Sequence, residues 1–269
     1  MRGASADSLA SLTAALDTAV DDGADATRVG EDLFAVARVL RDEPGLRRMV
    51  TDVSVDGDAK SGFVRYLFGD QFHAETLDIV AKAVELRWAG SRDLGDALEE
   101  LGVVAVVKAA DQDNQADRLE DELFAFSQLI TGTPGLRDAL SDPARSAADK
   151  GGLLHSLLDG KVSAATIRLA EQAVVGMHRT VGVAINEYQK VAAEAHNRNV
   201  ATVRVARALS DGDLRRLESA LEGQYGRKVH LNVLVDPDVV GGIRVEIGED
   251  VIDGTVASRL DDARRRLAG

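Results

Sequence analysis

The sequence predicts a mainly α-helical protein that ends in a small α+β module, and three observations carry that expectation. The chain repeats itself without a gap at an offset of 90 residues. Its apolar residues recur at helical spacing as far as about residue 200, and beyond that point the spacing switches to two, the period of a half-buried strand. Aromatic residues make up only 4% of the chain and 45% is apolar, a balance dominated by Ala, Leu and Val that suits packed helices.

The duplication is read from "LFAVARVLRDEPGLRRMVTD", beginning at Leu33, laid on "LFAFSQLITGTPGLRDALSD", beginning at Leu123. Leu33, Phe34, Ala35, Pro44, Gly45, Leu46, Arg47 and Asp52 recur, and the register continues through Lys60 with Lys150, Leu67 with Leu157 and Thr76 with Thr166. In the first copy Leu9, Leu12, Leu16 and Ala19 form one helical stripe and Val29, Leu33, Val36 and Leu40 the next. Pro44 and Pro134 each stand where a short helix can begin, because a proline at the first helical position forfeits no hydrogen bond. Leu77, Val80 and Val84 add another stripe, echoed by Ile167, Ala170 and Val174, so each copy reads as a bundle of five or six short helices.

Between the copies, Leu94, Leu98, Leu101 and Ala105 share a face, with Ser91 as the expected cap. "AINEYQKVAAEAHNRN" follows the second copy and reads as a helix leading outward, a poor core element on account of its polar residues. Then Ala201, Val203 and Val205 alternate with Thr202 and Arg204, and Val229, Leu231, Val233 and Val235 alternate likewise. Ser210 caps a helix between these strands that carries Leu214, Leu217 and Leu221. Ile243, Val245 and Ile247 mark a third strand, and Val256, Leu260, Ala263 and Leu267 a last helix, which completes a β-α-β-β-α order. The expected organisation is a first bundle over 1–90, a second over 91–180, a connecting helix over 181–199 and an α/β module over 200–269.

Composition also excludes. A formal charge of −13 disfavours a general nucleic-acid binder, since phosphate contact needs a basic face. With no cysteine there is no disulfide, thiolate nucleophile or thiolate-ligated metal. No apolar run approaches the ~20 residues that span a bilayer, and the first residues lack the apolar core of an export signal.

The motifs that imitate chemistry each lack an essential part. Gly241 and Gly242 precede a strand, whereas a dinucleotide fingerprint opens a helix; strand packing or a bulge is the better reading of the pair. "DVSVDGDAKSGF", from Asp52, resembles a calcium loop but carries Phe63 at the position of the bidentate Glu, so it reads as an acidic interhelical loop. His73, His155, His178, His196 and His230 show no ligand spacing. No catalytic constellation, metal site or cofactor site is expected. Arg264, Arg265 and Arg266 either complement the dipole of the last helix or meet an acidic partner.

One stretch does resemble a known family. "YGRKVHLNVLVDPDVVGGIRVEIGEDVIDGTVASRLDDARRRLA" combines an alternating strand, Asp-Pro, Gly-Gly, a second alternating strand and Asp-Gly ahead of a helix. In this order it is similar to the delta subunit of F-type ATP synthase, the family of the mitochondrial oligomycin-sensitivity-conferral protein. The motif residues are Leu231, Val233, Asp236, Pro237, Gly241, Gly242, Ile243, Val245, Gly248, Asp253 and Gly254. The resemblance covers about residues 92–269 and implies that the two strands form a hairpin. Ordinary members carry one bundle, so Ser91 to about Arg179 is the counterpart of theirs and the first bundle is extra.

The resemblance further implies a non-catalytic subunit of the peripheral stalk at the cytoplasmic face of the cell membrane. Its partners would be the alpha subunits of the catalytic head and the b-type stalk, with no nucleic acid, no cofactor and no direct membrane insertion. The alternative is a helical interaction adaptor unrelated to ATP synthase, which differs in its partners.

Overall fold

The computed structural model describes residues 1–69, 71–195, 198–225, 228–236, 239, 241–247 and 250–254. Among these it has twelve helices and four strands, divided into two compact units, Met1–Ala192 and Ala193–Gly269. None of the described helices is long and apolar enough to cross a membrane.

The first unit is built twice from the same parts. α1 (Ala4–Asp21), α2 (Ala26–Asp42), α3 (Pro44–Thr51), α4 (Gly57–Phe68) and α5 (Ala74–Glu85) are followed by α6 (Asp93–Gln112), α7 (Ala116–Gly132), α8 (Pro134–Ser141), α9 (Ala147–Leu158) and α10 (Ala164–Val175). The bounds of α2 to α5 recur in α7 to α10 at a constant step of 90 residues. α11 (Val181–Ala195) closes the series. Both α3 and α8 begin at their prolines, as the sequence predicts.

Local chemistry explains these starts. Asp25 accepts from the Arg28 N–H, Asp56 from the Asp58 and Ala59 N–H groups, Ser146 from the Asp149 N–H and Ser163 from the Thr166 N–H. α6 differs from expectation: its N-cap is Arg92 and makes no side-chain cap, and Ser91 plays no such part. The Asp93 carboxylate instead accepts from the Gly90 N–H at 3.1 Å and from the Ser5 hydroxyl at 2.6 Å, which ties the start of α6 to that of α1.

α6 is the hub of the unit. Leu94, Ala97, Leu98, Leu101, Val103 and Ala105 are fully enclosed, and Gly95, Glu99, Gly102, Val104, Val106, Val107 and Ala110 are buried with them. From Leu101 to Val107 every residue is buried, so the middle of α6 is a core helix rather than a surface one. α6 packs on α2 through glycine: a Cβ added at Gly102 would lie 2.5 Å from the Phe34 ring, and one at Gly30 would lie 3.2 Å from the Gly102 carbonyl oxygen. Lys108 pairs with Asp17 of α1 at 2.9 Å. Because α6 falls where both α1 and α11 fall in their own copies, it closes the first set of helices while opening the second.

α11 also departs from its sequence reading as a poor core element. Val181, Ala184, Ile185, Tyr188, Ala192 and Ala193 are all buried, and the polar side chains that masked this stripe are partly consumed in contacts. The Ser127 hydroxyl donates to Asn186 Oδ1 at 2.9 Å, and Gln189 donates to the Leu123 carbonyl at 3.1 Å.

The second unit holds β1 (Arg198–Val205), α12 (Asp211–Tyr225), β2 (Lys228–Val235), β3 (Ile243–Ile247) and β4 (Asp250–Asp253) in a sheet of order β2-β1-β3-β4. β1 is parallel to β2 and antiparallel to β3. Each inward residue of β1 is flanked by inward neighbours: Val203 lies between Val233 and Val245, and Ala201 between Leu231 and Ile247. With Val205, Val229 and Leu221 they form the core of the unit, as alternation predicts. Ser210 caps α12, its hydroxyl accepting from the Asp213 N–H at 3.2 Å and donating to the Asp213 carboxylate at 2.6 Å.

The expected hairpin between the strands around Gly241 and Gly242 is corrected by this sheet order. β2 and β3 lie on opposite edges of β1, and the antiparallel hairpin joins β3 to β4, an exposed edge strand not anticipated from the sequence. Alternation reports which face of a strand is buried but not which edge it pairs with. The Asp236 N–H donates to the Val205 carbonyl at 2.8 Å, so the chain leaving β2 is fixed to the end of β1 before it reaches the other edge. That crossing covers two strand spacings, about 10 Å, within reach of the intervening seven residues. The predicted last helix and Arg264, Arg265 and Arg266 lie outside the described residues.

Candidate interaction surfaces

The glycine pair is explained by backbone conformation. Gly241 and Gly242 have φ of 69° and 84°, the left-handed region where a side chain is strained. Placed just before β3, they turn the chain back along β1, and the element they open is a strand rather than a helix N-terminus that could meet a phosphate.

The other motif residues divide between core and rim. Leu231, Val233 and Ile243 are half-buried against the sheet core and Val245 is buried within it. Asp236 lies 3.9 Å from Arg204 on the outer face of the sheet. Asp253 is exposed and pairs in register with Arg244, and the Gly254 N–H donates to the Ile243 carbonyl at 2.9 Å. Pro237 and Gly248 lie outside the described residues.

The calcium-like loop is a helix start. Asp52 accepts from the Ser54 N–H at 2.8 Å and from its hydroxyl at 2.7 Å, and these bonds hold its carboxyl below the usual carboxylate range. Asp56 caps α4, and among the described residues no group of three or more acidic or histidine side chains is placed to hold a metal ion.

The histidines are similarly employed. His73 donates its N–H to Asp32 at 3.0 Å and sets its ring Nδ1 2.9 Å from the same carboxylate, which also accepts from the Thr76 hydroxyl at 3.1 Å. Ninety residues later the Glu122 carboxylate accepts from the Ser163 N–H at 2.8 Å and the Thr166 hydroxyl at 2.5 Å. In each copy one acid therefore fastens the beginning of the fifth helix to the second. His155 sits 2.9 Å from Asp159 and 2.8 Å from Glu171, joining α9 to α10. His196 lies outside the described residues, and His230 is on β2.

One polar centre escaped the sequence reading. Glu99 is 2% exposed; its Oε1 accepts from the Tyr188 hydroxyl at 2.6 Å and its Oε2 from the Met177 N–H at 2.7 Å. His178 stands 4.0 Å from the same carboxylate and edge-on to the Tyr188 ring. Burial pushes the Tyr188 hydroxyl pKa up, and the Glu99 charge and hydrogen bond push it further. Burial likewise raises Asp96, helped by the charges of Glu99 and Asp93. The carboxylate is spent on structural donors, so its arrangement staples α11 to α6. Nothing in the sequence sets Glu99 apart from Asp96 and Glu100 beside it.

What remains available is surface. An open groove of about 340 Å³ lies between the start of α1 and the end of α5, lined by Ala4, Asp7, Ser8, Glu85, Leu86 and Arg87. Val53, Phe63, Tyr66 and Leu67 are exposed on and beside α4. Such features suit contact between macromolecules better than enclosure of a small substrate.

Comparison with known proteins agrees with that character. The ATP synthase delta (OSCP) subunit family matches residues 103–267. The ATP synthase subunit delta of Nocardioides sp. is 51% identical over 100% of this chain and 98% of its own length. That of Kineococcus radiotolerans is 44% identical over 97% of this chain and 96% of its own. That of Streptomyces avermitilis is 41% identical over 99% and 98%. A chain from the Toxoplasma gondii mitochondrial ATP synthase hexamer superposes at a TM-score of 0.36 with 21% identity, covering 62% of this chain and 95% of that one, too loosely to bear on the fold.

Proposed function

From the premise that this chain belongs to the ATP synthase delta (OSCP) subunit family, we propose that it is a non-catalytic peripheral-stalk subunit of a proton-translocating F-type ATP synthase. It links the alpha subunits of the catalytic head to the b-type stalk and resists rotor torque, so that proton flow stays coupled to ATP synthesis. It sits at the cytoplasmic face of the membrane through the complex. The observation that carries this reading is the end-to-end similarity to the Nocardioides relative, which includes the first 90 residues.

The physical character of the molecule supports a coupling role. A subunit that transmits force needs extended surfaces, and the first unit gathers its two sets of helices on the buried α6. The duplicated stretches, 1–90 and 91–180, with 181–199 and 200–269 after them, are best regarded as inherited segments. We assign the first segment a supplementary contact with head or stalk.

The test is purification of the complex through a tag on a head subunit. This chain is expected to co-purify with the alpha and b-type subunits, and its depletion should uncouple ATP hydrolysis from proton pumping. A complex that assembles and remains coupled without it would overturn the proposal.

A further inference from the structure

We propose that the stripe formed by Ala59, Gly62, Phe63, Tyr66 and Leu67 on α4 is a docking surface for one amphipathic helix of another subunit, with Lys or Arg at the end that overlies the α3–α4 loop. The inference rests on the stalk reading above and names the chemistry of the supplementary contact. These residues recur at three and four positions apart and so share one helical face. Lys60, Val64 and Phe68 occupy the buried face of the same helix. Tyr66 is 88% exposed, Phe63 39% and Leu67 37%, and Val53 in the α3–α4 loop 77%. A Cβ added at Gly62 would meet nothing within 4 Å, which leaves room for close backbone approach.

The second copy is a control within the same chain. α9 has the same length and place in the repeat, yet carries Asp149, Gly152, Leu153, Ser156 and Leu157 at the matching positions. Asp149 there is engaged with the cap residue Ser146 at 2.7 Å. The helix therefore does not require exposed aromatic residues in order to fold.

Charge selects the occupant. Asp52, Asp56 and Asp58 border the amino-terminal end of the stripe. The cations of α4 itself are committed inward or sideways: Lys60 reaches the Asp52 carbonyl, and Arg65 pairs with Asp78 at 2.7 Å. A basic end on the incoming helix complements that border, and its apolar face covers Phe63 and Tyr66. A stripe of five residues offers much less than the roughly 800 Å² per partner of a standard interface, so this contact works within an assembly held by others.

The experiment uses the full chain in the assembled, purified complex, with photoreactive benzoylphenylalanine replacing Tyr66 and, separately, Ser156. Position 66 is expected to crosslink to a helical segment of another subunit whose apolar face ends in Lys or Arg, and position 156 is not. In a second arm, Phe63→Leu with Tyr66→Ser installs residues that α9 already tolerates. The variant should melt with the wild type and dissociate from the complex about tenfold faster at raised salt, the scale expected for loss of an aromatic anchor. A crosslink to the same chain, a second copy or lipid, no crosslink in an intact complex, or unchanged dissociation would overturn the proposal while sparing the stalk reading. Absence of the chain from the complex would overturn both.

Discussion

Glu99 and His155 illustrate how differently two polar residues act once placed. Replacing Glu99 with Ala leaves the buried Tyr188 hydroxyl and the Met177 N–H without their acceptor, and the expected loss is about 2–4 kcal/mol in denaturant unfolding. Combining Glu99→Met with Tyr188→Phe should recover part of that loss, because one orphaned donor disappears with its acceptor; a double-mutant cycle measures the coupling. His155 is exposed and acts through pH. The hydrogen bond that His155 makes to Asp159, then the Asp159 charge, then the hydrogen bond to Glu171 raise the imidazole pKa above its ordinary 6.5. A group raised in the folded state contributes stability in full below 6.5 and loses it as pH climbs through the folded value. Imidazole NMR shifts should place the His155 midpoint above 6.5, and His155→Gln should flatten the melting temperature over that same climb. Neither role was legible in the sequence: Glu99 and Tyr188 lie 89 residues apart and meet only through the fold of α6 against α11.

At the scale of elements, helix starts and strand faces were readable because their causes are local. Pro44, Pro134 and Ser210 mark their helices through neighbours within four residues, and Ala201, Val203 and Val205 reveal one buried face by alternation alone. The partners of those elements were not readable. The pairing of β1 with both β2 and β3 is chosen by the whole sheet, and the burial of α11 by helices that precede it. The α2–α6 crossing supplies a sharp test of such packing. Gly102→Ala gains about 1 kcal/mol of helix propensity, but its methyl meets the buried Phe34 ring, and overpacking costs about 1–3 kcal/mol. The net expectation is a lowered melting temperature. Gly62→Ala, with open space around it, should raise the melting temperature, and calorimetry on both variants separates propensity from packing.

Across the whole molecule, the duplication was legible in full, but the sharing of α6 between its two sets of helices, within the one compact unit Met1–Ala192, was not. The reason lies in α6, whose near-complete burial cannot be inferred from a single apolar stripe through Leu94, Leu98 and Leu101. A chain starting at residue 91 would lose the α2 side of that packing. It is expected to bind an apolar dye and to melt over a broader range than the full protein, and equal cooperativity in the two would contradict the shared core. α6 also has two sets of neighbours to satisfy, so a substitution there must be acceptable to both at once. Over generations such a helix should change more slowly than α1 or α11, and recombination that cuts between the copies should be purged. The seam that looks easiest to divide on paper is the one that inheritance has most reason to keep whole.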